Sequence, residues 1–221
     1  MARLVTPSRS ALATELEVQR AVWKDTATAP LSPGHSEEEQ DVLCAILNAV
    51  SDAVEQLLSG VIEREYSEYA DGGSQWLLLR HRPIVAVLEV REGSRALVEG
   101  VDYAVYHHLN RLRRLPGGIG HSATVPWLPG TATVWVRYRA GWATQVRDAS
   151  DQLVAVQYRP GGEAIRQAVL LWCQALWETG PAAYSVQVGA TGFVLNRNVG
   201  VPPQVQALLQ PYRTVATATA A

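Results

Sequence analysis

The chain has 221 residues, 48% of them apolar and 18% charged, with 19 basic against 21 acidic side chains and a formal net charge of -2. Low charge with ordinary apolar content excludes a chain that is disordered throughout, and the length suffices to bury a sizeable core in one large domain or a domain with appendages. The longest unbroken apolar stretch, Ala168 to Cys173, is far short of the ~18 residues of a membrane-spanning helix, and the balanced charge argues against a dedicated nucleic-acid binder.

After Met1-Ala2-Arg3 only Leu4-Val5 is apolar, so no secretory signal is expected and the chain is read as intracellular when made. Ala11 to Trp23 reads as a short helix, and Thr26 to His35, with Pro30, Pro33 and Gly34, as a linker. Ser36-Glu37-Glu38-Glu39 is a capping box that opens a long helix. Behind it Val42, Leu43, Ile46, Leu47, Val50, Val54, Leu57 and Leu58 recur at helical spacing, while Asp41, Asn48, Asp52 and Glu55 are expected to face out, as far as about Ser59.

Beyond Tyr69 the period changes. Asp71-Gly72-Gly73 reads as a turn, Gln75 to Leu79 as a short strand and Ile84 to Arg91 as a β-branched strand opened by Pro83. Glu92-Gly93-Ser94 turns the chain, and Leu97-Val98, Val101 to Tyr106 and Leu109 to Leu115 continue as short extended segments. A long loop from Pro116 to Pro129 holds Trp127. Thr131 to Arg139 is the cleanest strand, with Val134, Val136 and Tyr138 alternating against Trp135 and Arg137. Several short strands at close spacing predict an antiparallel sheet or small sandwich. Ala143 to Pro160 is ambiguous, with a candidate strand at Leu153 to Tyr158.

Glu163 to Thr179 predicts a second long helix ended by Gly180-Pro181. Ile165, Val169, Trp172 and Leu176 form one stripe, while Leu170, Leu171 and Trp177 cover much of the rest of its circumference. A helix apolar nearly all round has to be covered on two sides. The sheet is expected to supply one cover and a neighbouring subunit the other, which makes Leu170, Leu171 and Trp177 candidate subunit-interface residues. Val186 to Val188 and Phe193 to Leu195 read as a hairpin, and Pro202-Pro203 opens a short helix through Leu209, closed by Pro211. The Thr- and Ala-rich end from Thr214 to Ala221 has too little apolar bulk to order itself alone. The fold class is therefore α+β: a bundle of two long helices and short helices packed with a small antiparallel sheet or sandwich. Its expected divisions are 1–35, 36–180 and 181–221.

No constellation marks a catalytic centre. Cys44 and Cys173 make neither a disulfide framework nor a paired zinc motif and read as core residues. His107-His108 would point to opposite faces of a strand and cannot both close on one metal. Asp102 and His107 lack a nucleophile elbow to serve, and Gly117-Gly118-Ile119-Gly120 lacks the Lys-Ser/Thr and helix of a phosphate loop. No cofactor or metal is expected. Only Lys24 among the 19 basic residues is a lysine; arginine suits interface ion pairs and phosphates, although a GC-rich genome gives the same bias. Arg111, Arg113 and Arg114 form the one dense cluster, read either as a positive strip lining a passage for nucleic acid or as a charged strand edge. Seven tryptophans in a chain of low charge hint at oligomerisation.

Several segments together resemble the head-tail connector proteins of tailed bacteriophages, the gp6-like family. These are the capped helix leading into Ile62-Glu63-Arg64-Glu65-Tyr66, then Leu77-Leu78-Leu79 to Arg82-Pro83-Ile84-Val85-Ala86-Val87, Gly100-Val101-Asp102-Tyr103-Ala104-Val105, and Val136-Arg137-Tyr138-Arg139-Ala140-Gly141-Trp142. The ending Val201-Pro202-Pro203-Gln204-Val205 to Leu208-Leu209-Gln210-Pro211-Tyr212-Arg213 joins them. The resemblance covers most of the chain from about Ser36, and the loop Pro116 to Pro129 and the stretch Arg147 to Gly162 look longer than a compact member needs.

It implies a non-enzymatic structural adaptor in the virion neck, made in the host cytoplasm. The adaptor would be a dodecameric ring beneath the portal that joins capsid to tail through a stopper or tail-completion protein. Double-stranded DNA would pass through the ring without sequence specificity, past Arg111, Arg113 and Arg114. The C-terminal segment, with Leu208, Leu209, Tyr212, Arg213 and Val215 as anchors, would dock on the portal and order there. The competing readings are a small enzyme or ligand-binding module using Asp102, His107 and His108, and a nucleic-acid-binding protein resting on the arginine cluster alone.

Overall fold

The computed structural model describes residues 6–23, 36–116, 125–179, 187–189, 192–194 and 200–213, the two short pieces from 187 to 194 as backbone only. Helices and antiparallel sheets make an α+β fold, and the chain divides into two compact units. One is discontinuous, residues 1–62 with 143–221; the other, 63–142, is inserted between its halves. The divisions expected at 35 and 180 fall on residues outside those described.

The discontinuous unit is helical. Its first helix, α1, spans Glu15–Trp23 and not the expected Ala11 to Trp23. The reason is a second capping box: the Thr14 N–H donates to the Glu17 carboxylate at 2.7 Å while the Glu17 N–H donates to the Thr14 hydroxyl at 3.3 Å. Ala11, Leu12 and Ala13 precede it as a fully buried non-helical segment. Its backbone is satisfied by side chains: the Leu12 N–H donates to Ser51 Oγ at 3.0 Å, and the Ala11 and Leu12 carbonyls accept from Gln145 and Tyr158 at 2.7 and 2.5 Å. Helix α2 spans Glu37–Leu58 with the Ser36/Glu39 box formed as expected. Its end is sharp because Ser59 turns left-handed at φ 58° and the Glu55 carboxylate accepts from the Val61 and Ile62 N–H groups at 2.9 and 2.8 Å. Glu55 is thus a C-terminal clasp and not merely solvated.

Helix α3, Glu163–Thr179, buries Ile165, Val169, Trp172 and Leu176 as the expected stripe. Within this unit it is packed by α1, by α2 and by α4, Pro203–Leu209. Three helices of the same unit therefore supply cover for α3. A hairpin of Ala143–Arg147 and Leu153–Tyr158 resolves the ambiguous stretch; its turn is held by the Asp148 carboxylate, which accepts from the Ser150 and Gln152 N–H groups at 2.8 and 2.9 Å. Gln187–Gly189 and Gly192–Val194 pair antiparallel where the C-terminal hairpin is expected.

The inserted unit is built from two antiparallel sheets. Strands β1 (Arg64–Ala70), β7 (Val134–Ala140), β3 (Ile84–Glu92) and β4 (Arg95–Leu97) form one in that spatial order. Strands β2 (Trp76–Leu78), β6 (Arg111–Arg114) and β5 (Tyr103–Tyr106) form the other. Val134, Val136 and Tyr138 are fully buried, as their alternation requires, in one core with Leu77, Leu112 and Trp127. The linking loop closes tightly: the Gly72 and Gly73 N–H groups donate to the Gly130 and Trp127 carbonyls, both at 3.0 Å. A Cβ at Gly72 would sit 1.8 Å from the Leu128 carbonyl oxygen, so only glycine fits. Among the described residues no helix is long and apolar enough to cross a membrane.

Two measurements check this packing. Gly72→Ala should lower stability by about 1–3 kcal/mol in urea unfolding, because the backbone clash forces the loop away; an unchanged midpoint would show that the loop is not held there. Burial raises the phenol of Tyr103 to about 12, with a smaller contribution from Glu99, and raises those of Tyr138 and Tyr158 further. Folded pKa values above the unfolded value near 10 mean that these phenols stabilise the fold fully below about pH 10 and progressively less as pH rises through the folded values. Circular dichroism should therefore show a flat response to these groups from pH 6 to 9 and unfolding at more alkaline pH, accompanied by release of the buried tyrosinates.

Candidate functional site

Strand register sorts the arginine cluster. On β6, Leu112 and Arg114 point inward while Arg111 and Arg113 point out, because successive residues of a strand face opposite ways. Arg114 is 8% exposed. Its guanidinium pairs with Glu92 at 3.1 Å and Asp102 at 3.7 Å, donates to the Asp102 and Leu115 carbonyls at 2.5 and 3.0 Å, and lies over the Trp127 ring at 5.7 Å. Asp102 is itself buried, pairs with Arg95 at 2.8 Å and accepts from the Val98 N–H at 3.0 Å. The other Glu92 oxygen accepts from the Leu128 N–H at 2.7 Å.

The network ties both sheets to the loop that carries Trp127. It corrects two expectations. Arg114 belongs to the core and has no access to a channel, and β6 is the centre strand of its sheet, so the cluster is not a charged edge. Asp102 is likewise a structural anchor, which removes the acidic member of the proposed enzyme site. His107 and His108 lie on a single 3-10 turn, not a strand. The His107 Nδ1 is 3.0 Å from the Ile84 carbonyl, and no contact joins that ring to Asp102 among the described residues. No group of three or more His, Cys, Asp or Glu that could hold a metal occurs among the described residues. Cys44 and Cys173 are buried free thiols, and burial pushes the Cys173 thiol up.

Two outward sheet faces remain. On the three-stranded sheet the register pairs Trp76 with Arg113 and Leu78 with Arg111, and Ala104 and Tyr106 with the same two arginines from the other side. The Arg113 guanidinium lies over the Trp76 ring at 5.8 Å, and the Trp76 and Tyr106 rings meet edge-on at 5.1 Å. The exposed His108 ring is 6.0 Å from Tyr106, and Leu78 is 56% exposed. Arg111 and Arg113 have no ion-pair partner among the described residues, and no acidic residue occupies the paired positions of this face.

The face of the four-stranded sheet is different, because its charges are compensated. Arg137 lies between Glu65 and Glu89 at 3.7 and 3.6 Å, Arg139 pairs with Glu63 at 3.2 Å, and Arg91 pairs with Glu89 at 2.6 Å. Arg91 also covers the Trp135 ring at 5.5 Å, at the edge of a shallow pocket of about 360 Å³ that Tyr69 and Leu128 help to line. Sequence reasoning missed Trp76, Leu78 and Tyr106; the spacing of two between Trp76 and Leu78, matching that of Arg111 and Arg113, was the available signal, and Tyr106 is brought in by register alone.

In the helical unit Leu170, Leu171 and Trp177 are half-buried, and Trp177 meets Trp23 edge-on at 5.9 Å. Trp177 is therefore partly covered within the chain. Leu209 is fully buried and is core, not an anchor waiting for a partner. The short helix and following turn are already folded as far as Tyr212, whose hydroxyl donates to the Gly161 carbonyl. Ordering of the segment from Leu208 only on a partner thus does not hold for 208–213. Leu208 is half-buried, Arg213 exposed, and Val215 lies outside the described residues.

No protein-family model matches the chain, and no curated protein matches it. Among solved structures it is similar to a chain from the "neck of empty GTA particle computed with C6 symmetry". The match covers 98% of this chain and 96% of that one, with a TM-score of 0.50 and 18% sequence identity. At that identity the similarity is one of fold, extending over both units.

Replacing Arg114 by methionine leaves Glu92 and Asp102 buried without their cation and should cost about 3–5 kcal/mol in urea unfolding. Replacing Arg111 by glutamine should change stability by less than about 0.5 kcal/mol. Equal losses from the two variants would contradict the division of the cluster into inner and outer members.

Proposed function

We propose that the protein is a structural head-tail adaptor of a tailed bacteriophage or phage-like particle. It forms a homo-oligomeric ring in the neck, beneath the portal, joins the capsid to a stopper or tail-completion protein, and performs no catalysis. The observation that carries this reading is the fold-wide similarity to a neck chain, which spans nearly the whole of both chains. The order of sequence motifs resembling head-tail connectors supports it independently. A ring of twelve fits the sixfold symmetry named for the neighbour's particle, since twelve is a multiple of six.

In this reading Leu170, Leu171 and the uncovered part of Trp177 contribute to the contact between subunits. Arg111 and Arg113 face DNA, which they attract through phosphates without reading sequence. Leu208, Tyr212 and Arg213, with Val215 in the tail that follows, reach the portal. Each such contact is small, and a ring multiplies it: once one arm is bound, the others act at high effective concentration against a symmetric partner.

The test uses Leu171→Glu and a chain ending at Gln210, which lacks Tyr212, Arg213 and Val215, each supplied to particles that lack the native protein. Leu171→Glu should remain folded and fail to form rings, whereas the shortened chain should form rings and fail to stay on portal-bearing capsids, which then lose DNA. Normal attachment of both variants would remove these surfaces from the assembly.

A further inference from the structure

The outer face of the three-stranded sheet combines features that a purely electrostatic channel lining does not need. Two guanidiniums without ion-pair partners, Arg111 and Arg113, stand two residues apart on one strand. Their Cα atoms are thus about 6.6 Å apart, similar to the separation of successive phosphates on an extended single strand. Beside them lie the rings of Trp76, Tyr106 and His108 and the exposed Leu78. The sheet on which they stand is fixed from beneath by the buried Arg114 network, so the platform is rigid before any ligand arrives. Phosphates alone would be served by the arginines; the rings gain a partner only from a ligand that exposes flat apolar surface.

We propose that this face binds single-stranded DNA, with phosphates on Arg111 and Arg113 and an unpaired base against Trp76 and Tyr106. The proposal rests on the neck reading for the source of the DNA: the ends of a packaged duplex are where unpaired bases would come within reach of a ring in the neck. Charge favours nucleic acid over an apolar partner, because uncompensated guanidiniums would be costly to bury against an apolar surface. The rings favour a single strand over a duplex, whose bases are already stacked on one another. Recognition is independent of sequence, since the arginines are engaged by phosphates and the rings stack on the flat face of any base.

The experiment measures fluorescence anisotropy of a labelled 12-nucleotide thymidine strand and a blunt 12-base-pair duplex with the full chain, at 50 and 200 mM salt. The single strand should bind at least about fivefold more tightly than the duplex, the gain expected from one stacked base. With two phosphate contacts its affinity should fall about sevenfold between the two salt concentrations. Arg111→Gln with Arg113→Gln should abolish binding of both ligands, and Tyr106→Leu should erase the preference for the single strand while leaving duplex binding intact. Trp76→Leu, checked for folding by circular dichroism, should act as Tyr106→Leu does. Equal binding of strand and duplex, no binding of either, or a glutamate oligomer that competes as well as the single strand would each overturn the proposal. Attachment to particles is read separately: a chain that joins the neck but shows no single-strand preference refutes only this inference, and one that prefers the single strand but never joins a particle refutes only the neck reading.

Discussion

The buried guanidinium of Arg114 is the constraint on which the inserted unit depends. A cation 8% exposed is tolerable only when its charge and donors are matched, and here Glu92, Asp102 and two backbone carbonyls match them. Those partners come from β3, from the turn before β5 and from the end of β6, so one side chain fixes the spacing of two sheets. Glu92 extends the network to Leu128, and the Trp127 ring seals it. The consequence for function is positional: with Arg114 held inward, Arg111 and Arg113 are held outward on a surface that cannot re-register without losing the pair beneath.

The helical unit solves a different problem. Its long helix α3 is apolar around most of its circumference and is covered by three helices of the same chain, including the short α4 near the end of the described residues. Covering is incomplete, since Leu170, Leu171 and Trp177 stay half-buried. A helix that is stable within one chain yet keeps apolar area at its rim suits a subunit that folds first and assembles afterwards. The two units therefore divide the work proposed for the protein: helices for contacts between copies and with the portal, and the sheet unit for a charged and aromatic surface.

Much of the fold was legible because local signals agreed with tertiary demand. The Ser36/Glu39 box, the strand alternation from Val134 to Tyr138 and the start and stop of α3 all reported faithfully. What was missed had a physical reason. Strand β1, REYSEYA, is a polar edge strand whose pairing comes from β7 and not from its own β-branched content. The Thr14/Glu17 box was hidden directly behind an apolar run, Ala11 to Ala13, that looks helical but is buried without being helical. The candidate site was half legible. Three arginines in four residues look alike in sequence, and only the pairing of β6 separates Arg114 from its neighbours. The partners Trp76 and Tyr106 lie on other strands, so only the register brings them to the same face.

The role proposed from the fold, the sheet face and the apolar rim of α3 is that of a component that works by occupying a place in an assembly. Where the protein sits on the particle is thus the most direct test. Purified particles carrying an epitope-tagged version of this chain should be imaged by electron microscopy with bound antibody, and the neck reconstructed. The account predicts label confined to the single vertex where the tail joins, and density for a ring of twelve copies around the DNA passage. Label spread over the capsid, found along the tail, or absent from intact particles would contradict it.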